Sequence, residues 1–117
     1  MEHLRLGQRA ETLVAAWLEA RGFRILERNA RMGRLEIDII AQQGRTLVFC
    51  EVRARTHARF MNPEDSVTSA KIDRLQRAAR LWLESHSESR GCVVRFDVAS
   101  VVFDTTAGRV TYFDNAF

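Results

Sequence analysis

Three carboxylates in this 117-residue sequence sit where helix and strand patterning calls for apolar side chains. Glu11 falls among Gly7, Val14 and Leu18, the apolar stripe of an N-terminal helix. A carboxylate on such a face is costly unless it is paired or bound to a cation. Asp38 lies between Ile37 and Ile39, although aspartate is a poor strand former, and Glu51 follows the apolar run Leu47-Val48-Phe49-Cys50. Each alone reads as a solvated strand position or an arginine salt bridge. If the two strands pair as a hairpin, however, Asp38 and Glu51 become cross-strand neighbours, and Glu11 joins them if the helix packs over that face. Carboxylates brought together repel one another unless a cation neutralises them. Oxygen donors of this kind suit Mg²⁺ or Mn²⁺. Such an ion can activate a water and stabilise charge on a phosphoryl group.

The elements that must position these residues follow from periodicity. Leu4 to Ala20 reads as a helix with Leu4, Gly7, Val14 and Leu18 on one stripe, Trp17 at its edge and Gly22 as its stop. Phe23 to Arg28 alternates as a strand and ends in a turn region, Asn29–Gly33. In the strand Leu35 to Ala41, Leu35, Ile37 and Ile39 are expected on one face, with Glu36, Asp38 and Ile40 on the other. Gln43-Gly44 turns into a strand from Thr46 to Arg53, completing the hairpin. A polar loop, His57 to Asp65, precedes a helix with Thr68 as N-cap and Ile72, Leu75, Ala79 and Trp82 on its buried face. A strand from Cys92 to Phe103, a turn at Thr105–Gly108 and a strand from Arg109 to Phe113 complete the order α-β-β-β-α-β-β. The fold class expected is α/β, a mixed β-sheet flanked by helices in one domain over 1–117.

Composition narrows the rest. Hydrophobic residues make up 46% and charged residues 28%, a globular balance. No run approaches the ~20 apolar residues that cross a bilayer, and no signal peptide is apparent, so a cytoplasmic protein is expected. Cys50 and Cys92 are too few for a disulfide framework or a zinc site and are expected to be buried free thiols. His3, His57 and His86 have no ligand spacing. Between Met1 and Phe60 there are eleven arginines against seven acids; after Phe60, seven basic residues face eight acids. The positive excess therefore accompanies the proposed site. Arg24, Arg28, Arg31 and Arg34 before Asp38, and Arg55 and Arg59 after Glu51, are read as a phosphate-tracking rim.

The segments Gly33-Arg34-Leu35-Glu36-Ile37-Asp38-Ile39-Ile40 and Leu47-Val48-Phe49-Cys50-Glu51-Val52-Arg53 resemble the YraN family of uncharacterised bacterial proteins. Gly7…Ala10-Glu11 and Arg95-Phe96-Asp97-Val98 extend the resemblance over nearly the whole chain. That family is similar to archaeal Holliday-junction resolvases and the wider D-x(n)-E-x-K nucleases. The resemblance implies a restriction-endonuclease-like fold, with Glu11, Asp38 and Glu51 as metal-binding and catalytic acids. One residue departs from the nuclease pattern: Arg53 stands where a lysine is expected. Arginine can clamp a phosphate but cannot act as a base. Lys71, the only lysine in the chain, is a substitute candidate, and its bland alternative is a surface lysine. Glu36 is read as an arginine's salt-bridge partner. The activity expected is a Mg²⁺- or Mn²⁺-dependent endonuclease acting on DNA, including branched or damaged forms. Arg31, Arg34, Arg55 and Lys71 would contact nucleic acid, and the chain could work as a homodimer. The alternative is a nucleic-acid-binding module of the same fold that has lost the chemistry.

Overall fold

The structure is a computed structural model that describes residues 2–56, 68–104 and 107–117. Apolar residues at helical spacing give α1 (Glu2–Ala20), which buries Ala10, Val14, Ala15 and Leu18. Gly22, at φ 91°, turns the chain out of the helix into β1 (Arg24–Met32), which is followed by β2 (Leu35–Gln43) and β3 (Thr46–Arg55). Thr68 caps α2 (Ser69–Glu84) as expected, its side chain accepting from the Lys71 N–H at 3.2 Å. A short 3-10 turn at Ser87–Ser89 leads to β4 (Val93–Val102), and β5 (Arg109–Phe113) closes the described chain. The loop from His57 to Asp65, with Arg59, and the first residues of the turn before β5 lie outside the described residues.

The five strands form one mixed sheet in the order β1-β2-β3-β4-β5. Neighbours are antiparallel except β3 and β4, which run parallel because α2 carries the chain across one face between them. The helices cover opposite faces. Ile39, Ala41, Val48, Cys50, Ala99 and Val101 pack with α1, whereas Ile37, Ile40, Leu47 and Phe49 pack with Leu75, Ala78, Ala79 and Trp82 of α2. The expected α/β class and element order are thus observed. Among the described residues no helix is long and apolar enough to cross a membrane.

Three local expectations are corrected. The Asn29–Gly33 turn shrinks to Gly33-Arg34, because β1 continues through Asn29 with that residue at φ 52°. Asparagine tolerates this left-handed conformation better than most side chains. The expected facing of β2 also fails midway. Leu35 and Ile37 pack on the α2 side, but Ile39 packs on the α1 side, so the alternation breaks at Asp38. A period of two holds only for an unkinked strand. Finally, Cys50 is buried but Cys92 is only partly so.

Candidate functional site

The break in β2 creates the site. β2 and β3 pair from Gln43↔Thr46 to Ile39↔Cys50, and there the ladder ends. At the next position the Asp38 carboxylate replaces a backbone carbonyl, its Oδ2 accepting from the Val52 N–H at 2.8 Å. The two strands therefore part around a side chain, with Asp38 on one lip and Glu51 on the other. β3 itself stays regular. Val48, Cys50, Val52 and Ala54 serve the α1 layer, and Glu51 continues the opposite row after Leu47 and Phe49. Arg53 follows Glu51 on that row and approaches its carboxylate at 3.5 Å, as the strand spacing implies.

Glu11 reaches the same region from α1. Its Oε1 accepts from Asn29 Nδ2 at 2.9 Å, and Arg28 lies 3.7 Å away. Only 12% of this side chain is exposed. Burial pushes its carboxyl above the ordinary value, Asn29 and Arg28 oppose the shift, and Glu36 adds to it. The left-handed backbone of Asn29 thus has a use: the residue delivers an amide donor to Glu11.

Asp38 is the most perturbed carboxylate of the site. Burial is the main cause, lifting its pKa from 3.8 to about 7; the Val52 N–H works against this, while Glu51, Glu11 and Glu36 reinforce it. Three other carboxylates thus lie close enough to act on Asp38. Each of the three has a cationic neighbour, because Arg31 lies 3.4 Å from Glu36. Among the described residues, however, no group of three or more His, Cys, Asp or Glu is gathered tightly enough to hold an ion by itself.

A cleft of about 220 Å³ opens on the α2 side of Glu51, lined by Arg34, Leu35, Glu36, Lys71, Arg74 and Leu75. Lys71 and Arg34 are thus brought to the site. Lys71 stands in the first turn of α2, which the Thr68 cap begins. Arg31 is instead largely exposed beside Glu36, Arg28 is engaged with Glu11 and Thr12, and Arg24 pairs with Gln42 at the far end of β1. Arg55 lies at the last pair of the β3–β4 ladder, opposite Val102. Sequence reasoning missed Asn29 and Arg74. Arg74 carries a readable signal, as it follows Lys71 by three residues on one helix and so shares its face.

The model of the uncharacterised protein family UPF0102 matches residues 10–101. A UPF0102 protein of Anaeromyxobacter dehalogenans is 44% identical over 112 residues, covering 96% of this chain and 83% of the relative. A UPF0102 protein of Geobacter metallireducens is 39% identical over 112 residues, covering 96% and 91%. One from Sorangium cellulosum is 46% identical over 100 residues, covering 84% and 69%. The matched span contains Glu11, Asp38, Glu51, Lys71 and Asp97.

Proposed function

We propose that this chain, which belongs to the UPF0102 family, is a metal-dependent endonuclease of restriction-endonuclease-like build that hydrolyses DNA phosphodiesters, branched or damaged forms included. One observation carries the reading: Asp38 is largely buried at the parting of β2 and β3 beside Glu51, and it has one backbone donor but no cation of its own among the described residues. Of the four acids, Glu11, Glu36 and Glu51 each have an arginine neighbour and Asp38 has none among the described residues, and a divalent ion is the simplest remedy.

The donor set fits Mg²⁺ or Mn²⁺. Magnesium is commonly held by one or two carboxylates, with water and substrate phosphate supplying the remainder. Asp38 and Glu51 would be those two, and Glu11 the third acid of the site. When bound, the ion would supply Lewis-acid stabilisation of the phosphoryl oxygens and a more acidic water. The remaining work falls to the chain. Arg53, at 3.5 Å, orients Glu51 and contributes fixed positive charge where charge builds on the phosphate. Lys71, Arg34 and Arg74 draw a phosphate into the cleft against the repulsion of Glu36 and Glu51. Asn29 and Arg28 hold Glu11 in place.

Incubating the protein with Mn²⁺ or Mg²⁺ and linear, nicked and four-way DNA tests this reading. Cleavage abolished by Asp38→Ala is the expected result; no cleavage of any substrate by the unaltered protein overturns it. A second reading, a binding module without chemistry, is favoured by the Glu51–Arg53 ion pair, which places a non-titrating group where a base would stand. DNA binding that needs no metal, with no heat of Mn²⁺ binding in calorimetry, selects it. A homodimer belongs to either reading, and sedimentation of the purified protein decides it.

A further inference from the structure

A second basic surface lies on the opposite layer. A groove of about 500 Å³ runs along α1, lined by Arg5, Gln8, Arg9, Thr12, Leu13 and Ala107. Among the described residues no carboxylate lines it, although the chain holds nearly as many acids as bases. Its wall is built closely. A Cβ on Gly108 would come within 2.9 Å of Leu13 Cδ1 and 2.7 Å of the Phe103 ring, so the chain entering β5 lies directly on α1. The Arg9 guanidinium rests over the Phe103 ring, 4.6 Å from its centre, which fixes where that charge is held.

The groove also connects to the acidic site. Thr12 accepts from Arg28 at 3.1 Å, and Arg28 in turn lies beside Glu11. Phe103 donates its N–H to the Arg55 carbonyl at 2.8 Å, so the groove sits at the end of β3 toward which Glu51 and Arg53 lead. The cleft of Lys71 and Arg74 flanks the same stretch of β3 from the other layer.

We propose that this groove binds the sugar–phosphate backbone of a nucleic acid at a distance from the reacting phosphate, a proposal that rests on the nuclease reading above. Charge and shape both select such an occupant. Arg5 and Arg9 stand one helical turn apart, about 6 Å along the axis, a spacing on the scale of successive phosphates in one strand. Leu13 and Ala107 offer an apolar floor suited to a sugar, and Gln8 and Thr12 offer a polar edge. The polymer would then be held on both sides of Asp38, by Lys71 and Arg74 in one layer and by Arg5 and Arg9 in the other.

The test measures binding of a long DNA duplex, without divalent metal, as a function of NaCl concentration. The double variant Arg5→Gln/Arg9→Gln is compared with Lys71→Gln and the unaltered protein, and thermal melting verifies that each is folded. The expected result is that the slope of log affinity against log salt falls by about 2 in the double variant and about 1 in Lys71→Gln, since each neutralised phosphate contributes roughly 0.9. A slope reduced by Lys71→Gln but unchanged by the double variant overturns the groove alone. No binding of DNA by the unaltered protein overturns the groove together with the nuclease reading. Should the double variant melt early, Arg5→Gln alone is used, with an expected loss of about 1 in slope.

Discussion

Two aspartates in one sheet are kept in opposite ways. Asp97, in the middle of β4, has no solvent exposure, yet its carboxylate is saturated. Arg95 donates through Nε and Nη2, each at 2.9 Å; Tyr112 donates its hydroxyl at 2.5 Å and Asn115 its backbone N–H at 2.8 Å. Burial and the neighbouring Cys50 and Asp97 push the Tyr112 hydroxyl well above its ordinary pKa, so it remains a donor throughout the working range. Asp38 is more accessible but receives one backbone N–H and the repulsion of three acids. The first arrangement is complete and holds β4, β5 and the C-terminal turn together. The second receives a single donor, and the metal site proposed above rests on that difference.

The largest expected effect breaks the complete arrangement. Asp97→Ala strands Arg95 and the Tyr112 hydroxyl and should cost about 3–5 kcal/mol in urea unfolding. A loss below about 1 kcal/mol would remove the contrast between the two sites.

The next effect has the opposite sign. The folded-state pKa of Asp38, about 7, lies above its ordinary 3.8, so folding favours the protonated form. The stability linked to this group is full below about pH 4 and is lost as pH rises through about 7. Asp38→Asn removes that loss while leaving an oxygen for the Val52 N–H. It should raise stability at pH 8 by a few kcal/mol, with the gain fading toward pH 4; urea titrations at both pH values measure it. Mn²⁺ should raise the melting temperature of the unaltered protein and leave Asp38→Asn unmoved. A variant no more stable than the parent at pH 8 would mean that Asp38 is already satisfied.

A smaller effect sharpens the comparison within the site. Glu51→Gln keeps the length of the side chain but releases Arg53 and weakens one proposed ligand. Mn²⁺ affinity by calorimetry should fall by about tenfold or more, with little change in melting. The smallest effect lies at the rim, where Arg31→Ala breaks an exposed pair with Glu36 and should change stability by less than about 0.5 kcal/mol. A larger change would give Arg31 a structural role that its exposure argues against.

The misfit of charge was legible before any coordinates because it is local. An acid between two isoleucines, or at the end of a four-residue apolar run, contradicts its own strand. The nearness of Asp38 to Glu51 followed from hairpin register, although the ladder ends one pair short of them, and Thr68 from cap chemistry. Less accessible was whatever depends on departures from regularity. The face exchange at Asp38 and the backbone of Asn29 cannot be read from a rule that assumes an unkinked strand. Asp97 appeared only as part of a motif, since Tyr112 and Asn115 reach it from the other side of a turn. Whether Lys71 was surface or site depended on where α2 crosses the sheet, and periodicity says nothing of that.

The bond from the Val52 N–H to Asp38 has an experimental use. It spans the gap where the ladder has ended, so that amide proton is sheltered by a titrating oxygen instead of a carbonyl. Its rate of exchange with deuterated solvent becomes a gauge of how far the two lips stand apart, readable at one residue in a protein with nothing bound.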